Sequence, residues 1–310
     1  MLYHATHTTE YTYEQPVTHC LSEARLTPRT LPRQKVLESH LTVVPKPSRL
    51  EQRVDYFGNQ VTTYSVFRSH AKLVATADSI VEVLPWQSPA LPPISWAEAQ
   101  RCLFEHRDED SLAAYEYVFD STFVAASPEL AAYAQPYFTK GRPLAELVQE
   151  LSHQIYTQFA YKPKSTSIDV SLATVLQRRQ GVCQDFAHVM IGALRSWHLA
   201  ARYVSGYLRS GGDVQGADAS HAWVSVFIPG FGWLDLDPTN DVIPSDGHIT
   251  LAWGRDYGDV TPTKGIALGG GEQKVNVAVD VRPARGTFML GKVKTEDGDF
   301  PPLLGTHGAG

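Results

Sequence analysis

The sequence predicts an α+β protein in which an antiparallel β domain precedes a mixed core of helices and strands. Three observations support this prediction. Residues 1–85 alternate in the manner of strands, residues 127–197 repeat apolar side chains at helical spacing, and strand-like segments return after residue 201. A chain of 310 residues exceeds one ordinary hydrophobic core, so two domains are expected.

The N-terminal region is predicted to be a small antiparallel β-sandwich. One face of its first strand carries Tyr3, Ala5, His7, Thr9, Tyr11 and Tyr13. Further extended runs cover residues 37–44, 61–67 and 80–84, and Gly58-Asn59 supplies turn chemistry between two of them. Prolines at 85, 89, 92 and 93 mark a stiff connection. We therefore place a first domain at residues 1–88.

Helices are predicted after this connection. Ser127 and Pro128 resemble an N-cap followed by proline at the first helical position. A long amphipathic helix is indicated by apolar side chains spaced three and four residues apart, at Leu144, Leu147, Val148, Leu151, Ile155 and Phe159. A second helix begins at or just before Cys183 and places on one face Phe186, Met190, Ala193, Leu194 and Trp197.

Strands are predicted again at residues 202–209, 221–228, 233–237 and 275–281. Together with the helices they define a predicted core domain at residues 89–284. Residues 285–310 are loose in composition, and we expect a partly ordered tail.

The charge and the cysteine content of the sequence limit the binding partners and the cellular compartment that we expect. A formal charge of −6 argues against nucleic acid or an anionic membrane as the main partner. The N-terminus lacks a secretory signal, and the three cysteines form no C-x-x-C pair, so we expect a cytoplasmic protein with reduced thiols and no structural zinc. No cofactor motif is evident: without a following Lys-Ser/Thr, the Gly269-Gly270-Gly271 run is interpreted as a turn rather than a phosphate-binding loop.

Cys183 is the candidate nucleophile. The unpaired N–H groups in the first turn of a helix carry partial positive charge, which favours a thiolate. Gly181 would let a substrate backbone approach closely. The competing interpretation is a cysteine buried in the core, which is the common situation for this residue.

A thiol nucleophile needs a base, and His221 is the candidate because it opens a predicted strand directly after a glycine-rich loop. Asp235 and Asp237 follow on the next strand. Side chains alternate between the two faces of a strand. If the two strands form a hairpin, His221 shares a face with these acids only when the numbers of two directly paired residues add up to an even value. This condition requires a loop with an odd number of residues, or a bulge. The two acids have the same parity, so this argument does not choose between them.

Four segments resemble the transglutaminase-like core family in residue type, order and spacing. They are Gly181-Val182-Cys183-Gln184-Asp185-Phe186-Ala187, Ala201–Tyr207, His221-Ala222-Trp223 and Asp237-Pro238-Thr239-Asn240. Residues 1–85 resemble the bacterial N-terminal β domain that accompanies this core, and the resemblance extends to about residue 283. It implies a papain-like core, in which a helix carrying the cysteine packs on an antiparallel sheet. It also implies a triad of Cys183, His221 and Asp237.

The expected activity is thiol-dependent acyl transfer on an amide or peptide bond through a thioester, with hydrolysis preferred. The alternatives are protein-glutamine acyltransferase activity with a primary-amine acceptor, and a non-catalytic peptide-binding module on the same fold. The expected partner is a peptide or protein substrate. The Cys-x-x-Cys zinc pairs of the peptide-N-glycanase branch are missing, which argues against glycan removal. A metal site is disfavoured because the irregular spacing of Asp246, His248, Asp256 and Asp259 resembles no ligand pattern.

Overall fold

The computed structural model describes residues 1–163, 170–211, 214–217 and 219–284. The predicted tail at residues 285–310 lies outside the described residues. Within the described ranges, no helix combines the length and apolarity needed to cross a membrane.

The N-terminal region consists of antiparallel strands, as predicted. Its strands in chain order are β1 (Leu2–Ala24), β2 (Gln34–Val44), β3 (Arg49–Val54), β4 (Gln60–Val66) and β5 (His70–Val83). The order in the sheet is β2-β5-β1-β4-β3. Gly58 adopts a φ of 75° in the turn between β3 and β4, in agreement with the expected turn chemistry.

The long strand β1 organises this sheet. Its first half pairs with β5 and its second half with β4, and the register shifts between Thr12 and Val17. Pro16 lies inside this shift, and a proline cannot donate to a strand ladder. The interruption divides β1 into two stretches with different partners, so the sheet curls.

The middle of the chain is helical. It contains α1 (Trp96–Glu105), α2 (Glu109–Tyr115), α3 (Pro128–Ala134), α4 (Leu144–Gln158), β6 (Ala160–Tyr161), α5 (Leu172–Arg178), β7 (Gln180–Gly181) and α6 (Cys183–Arg195). Ser127 caps α3 by accepting from the Leu130 N–H, and Pro128 occupies the first turn, which confirms the predicted cap. The two predicted amphipathic helices are α4 and α6.

The core sheet is antiparallel in the order β10-β9-β8-β11. Its strands are β8 (Ala201–Leu208), β9 (His221–Ile228), β10 (Gly232–Leu236) and β11 (His248–Gly254), followed by the short helix α7 (Tyr257–Val260). Ala222, Val224 and Val226 of β9 share one hydrophobic core with Phe186 and Met190 of α6. Helix α6 therefore covers one face of this sheet, and Trp223 belongs to the opposite face because side chains alternate. His221 is the first residue of β9 and interacts with Cys183 at the start of α6.

Trp223 explains the glycine in β8. A Cβ at Gly206 would lie 2.3 Å from the Trp223 ring and 2.2 Å from the Ile249 carbonyl oxygen. The indole therefore lies across β8 in space that any side chain at position 206 would fill.

The last two strands join the N-terminal sheet. Both β12 (Thr263–Gly269) and β13 (Gln273–Pro283) pair with β1. They fall within residues 89–284, the segment that the sequence assigned to the core domain. The three glycines 269–271 connect them, all at positive φ, which agrees with the predicted turn. The end of the chain thus pairs with β1, its first strand. Without β12 and β13, one edge of β1 would lack strand partners along the paired residues.

Candidate active site

Cys183 is the first residue of α6, and 8% of its surface remains exposed. The carboxylate of Asp185 accepts a hydrogen bond from the Val182 N–H at 2.8 Å and so caps the helix. A Cβ at Gly181 would lie 2.5 Å from Asp185 Oδ2. The glycine at position 181 therefore leaves room for the Asp185 carboxylate that caps the helix.

His221 and Asp237 are in direct contact. His221 Nε2 donates to Asp237 Oδ2 at 2.8 Å, and the two residues are 1% and 0% exposed. Strands β9 and β10 pair Ile228 with Gly232 across a three-residue turn, so paired numbers sum to an even value. The condition for a shared face is met, and the hydrogen bond distinguishes Asp237 from Asp235.

The Asp237 carboxylate is enclosed by hydrogen-bond donors. Its Oδ1 accepts from the backbone N–H groups of Thr239 and Asn240 at 2.9 and 3.3 Å. Its Oδ2 also accepts from Asn240 Nδ2 at 2.9 Å and from His248 Nε2 at 3.2 Å. Burial alone would raise its pKa, but the two histidines outweigh this effect and hold the pKa of Asp237 well below its usual range. The Asp-Pro-Thr-Asn segment is thus a turn built around an ionised acid.

His221 is the group through which the three candidates meet. Burial disfavours its cationic form, but the charges of Asp237 and Cys183 outweigh burial and raise the pKa of His221 to about 10. Its Nδ1 has no conventional hydrogen bond to any described residue. The ring therefore has one nitrogen fixed by Asp237 and the other available to the neighbouring thiol.

The loop before β9 packs against this ring. Gly216 has a φ of 89°, and a Cβ there would lie 2.7 Å from His221 Nδ1. The adjacent Gln215 N–H donates to Asn240 Oδ1 at 2.8 Å, and Asn240 Nδ2 returns a 3.3 Å bond to the Gln215 carbonyl. Asn240 thus ties the loop to the turn that holds Asp237.

Sequence reasoning did not assign the roles of Gly216, Asn240 and His248. Asn240 stands in a quoted motif and His248 in a segment that resembles the closing part of the core, but their contacts depend on loop conformations that no residue pattern encodes.

Three of the four residues weighed for a metal site have other partners. His248 bonds Asp237, Asp256 caps α7 through the Gly258 N–H, and Asp259 pairs with Arg255. In the described ranges, no group of three or more His, Cys, Asp or Glu side chains is arranged to hold a metal ion.

Two family matches agree with this geometry. Residues 3–82 match the bacterial transglutaminase-like N-terminal region, and residues 131–238 match the transglutaminase-like superfamily. An uncharacterized protein of Mycobacterium tuberculosis is 40% identical over 303 residues, which cover 93% of this chain and 94% of the relative. The chain belongs to the transglutaminase-like superfamily.

Two further proteins are similar to this chain, one in structure and one in part of its sequence. A candidate cysteine protease from Cytophaga hutchinsonii has a similar crystal structure, with a TM-score of 0.72, 21% sequence identity, and coverage of 93% of this chain and 92% of the other. A protein-glutamine gamma-glutamyltransferase of Pseudomonas aeruginosa is 33% identical over 121 residues, which are 36% of this chain and 17% of the relative. The first confirms the predicted fold over nearly the whole chain.

Proposed function

We propose that the protein is a thiol-dependent acyl-transfer enzyme that cleaves amide or peptide bonds, with Cys183 as nucleophile, His221 as base and Asp237 as the orienting acid. The observation that carries this proposal is the buried 2.8 Å hydrogen bond between His221 and Asp237, with Cys183 beside the same ring. All three positions are filled, which supports catalysis over a non-catalytic binding module.

The charge states support a thiolate mechanism. With its pKa raised to about 10, His221 carries a proton at neutral pH, and an imidazolium next to a cysteine favours the anionic sulfur. Asp237 fixes the ring orientation and stabilises its positive charge, which is the role of the acid in a triad. The sulfur also lies at a helix N-terminus, where unpaired N–H groups add to this field.

In the proposed cycle the Cys183 thiolate attacks the amide carbonyl carbon, and the tetrahedral oxyanion collapses with cleavage of the C–N bond. The amine leaves with the proton from His221, and an acyl thioester remains on the sulfur. In this proposal the Cys183 backbone N–H donates to the oxyanion, and one such donor lowers a barrier by about 3 kcal/mol. Water then attacks the thioester, His221 takes its proton, and the acid is released from the restored thiol.

We propose water as the acyl acceptor and a cytoplasmic location. The name of the Cytophaga neighbour supports hydrolysis, while that of the Pseudomonas relative supports an amine acceptor as the second candidate. Both outcomes share the thioester, so the acceptor decides between a protease or amidase and a crosslinking enzyme.

Peptide libraries incubated with the protein, with and without a primary amine, would test the proposal by mass spectrometry. Hydrolysis adds water across the cleaved bond, and transfer incorporates the amine. The Cys183→Ala variant should give neither product. Absence of any product from a protein whose Cys183 remains reactive would favour the binding module instead.

A further inference from the structure

A cavity of about 480 Å³ lies between the N-terminal domain and the core sheet. Its floor is the sheet face opposite α6 and includes Arg202, Trp223 and Asp235. Its other walls come from the segment that leads into β2, including Arg33, and from Trp86 after β5. A cavity of this size at a domain junction is typical of small-molecule sites.

Three buried N–H groups around this cavity lack partners. The Nε1 atoms of Trp223 and Trp86 and the Nε of Arg202 are buried and make no hydrogen bond to any described residue. Trp223 is 0% exposed and Arg202 is 8% exposed. A buried donor without an acceptor destabilises the folded protein. Three such donors lining one cavity indicate an occupant that supplies hydrogen-bond acceptors.

The charges around the cavity favour an anion. Arg202 lies between the indole rings of Trp233 and Trp253, with its guanidinium carbon 4.0 and 3.8 Å from their centroids. This stacking fixes the planar fork that pairs with carboxylates. Arg33 adds a second positive charge, and Asp235 lies within electrostatic range of both arginines. Two cations and one carboxylate leave an excess positive charge for a ligand.

The walls also define the body of the ligand. Trp86 and Phe231 contact each other edge to face at 6.2 Å, and Trp223 and Trp233 contribute further aromatic surface. An apolar or aromatic group gains from packing against such rings. Water would satisfy the N–H groups but would leave this apolar surface hydrated.

We propose that this cavity binds a small carboxylate with an aromatic body, whose oxygens accept from Arg33, Arg202 and the indole N–H groups. Neither Cys183 nor His221 lines the cavity, so the ligand is held apart from the reacting sulfur. His248 does line it, with Nε2 3.2 Å from Asp237 Oδ2. The occupant is therefore separated from the proposed triad by one side chain, and the proposal does not depend on the acyl-transfer function.

The test uses the full chain carrying Cys183→Ala, labelled with ¹⁵N at its six tryptophans. It is titrated with 3-phenylpropionate and, separately, with its neutral amide. The acid should shift the indole N–H signals of Trp86 and Trp223. The signals of Trp96 and Trp197 should stay, because these N–H groups already donate to the Thr139 and Ala131 carbonyls.

Matched variants test the charge requirement. Arg33→Gln should weaken binding of the acid by about tenfold or more, since it removes a charged partner of the carboxylate. Arg53→Gln is the control, because Arg53 is half exposed and pairs with Glu23 away from the cavity. Unchanged Trp96 and Trp197 signals report that each variant is folded.

Three results would overturn the proposal. Equal affinity for acid and amide would remove the anion preference, and shifts confined to Trp96 and Trp197 would place the ligand elsewhere. Absence of saturable binding at millimolar concentration would leave water as the occupant.

Discussion

Replacing Asp237 with asparagine removes the charge beside His221 while keeping the size of the side chain. At the observed 2.8 Å and an effective dielectric constant of about 20, the attraction between carboxylate and imidazolium is about 6 kcal/mol. This energy corresponds to about four pKa units, or a rate change of about 10,000-fold if it acts on the transition state. Burial favours the uncharged imidazole, and in the variant no carboxylate at position 237 opposes it, so we expect a neutral His221 at pH 7.

The assay follows the ring and the sulfur separately. NMR titration of His221 should show a large fall in its pKa in Asp237→Asn, and the rate of Cys183 alkylation near neutral pH should fall with it. Asp235→Asn is the matched control, since Asp235 lies on β10 two residues before Asp237 and makes no hydrogen bond to His221 among the described residues. A large effect of Asp235→Asn with little effect of Asp237→Asn would refute the assignment.

Three further perturbations follow from the same geometry. Iodoacetamide labelling at neutral pH should disappear in Cys183→Ala and persist after alanine replacement of either other cysteine, as resolved by peptide mass spectrometry; equal labelling of all three thiols would contradict an activated Cys183. Gly216→Ala should slow this labelling about tenfold or more, because its Cβ would lie 2.7 Å from His221 Nδ1. Gly211→Ala is the control, with a φ of 84° but no atom within 4 Å of its Cβ, and equal slowing would indicate backbone strain alone. Finally, the pKa of His221 is raised from 6.5 to about 10, so its contribution to the free energy of unfolding is complete below about pH 6.5 and is lost as the pH rises towards 10. Chemical denaturation should show this loss in the native protein and a smaller one in Asp237→Asn; identical pH slopes would contradict the coupling.

The elements that could be predicted from sequence are those with strong local patterns. Strand β9 was predicted at its observed bounds, and α6 begins at Cys183 as expected. Helices α2 and α5 have seven residues each, about two turns, so their periodicity is too short to recognise.

Strand partners are harder to predict than strands. Residues 275–281 alternate clearly, but their pairing with β1 joins segments that are more than 250 residues apart. Nothing local in either segment specifies the other, since an exposed edge accepts any strand of suitable pattern.

In the candidate active site, too, local patterns could be predicted from the sequence and contacts between distant segments could not. Alternation along β9 and β10 set a parity condition, and the turn met it with Gly230 and Gly232 at φ values of 80° and 99°. The contacts of Gly216, Asn240 and His248 depend on how the loop before β9, the turn after β10 and the start of β11 come together. Residue patterns therefore gave Cys183, His221 and two candidate acids, the family resemblance selected Asp237, and neither predicted the groups that surround them.

The proposed mechanism requires His221 to share its proton with the Cys183 sulfur. The most direct measurement is the rate of Cys183 alkylation as a function of pH, in the native protein and in His221→Ala. We predict that Cys183 of the native protein is alkylated much faster than Cys183 of His221→Ala at neutral pH, because the imidazole that shares its proton is missing from the variant. Superimposable profiles for the two proteins would contradict this mechanism.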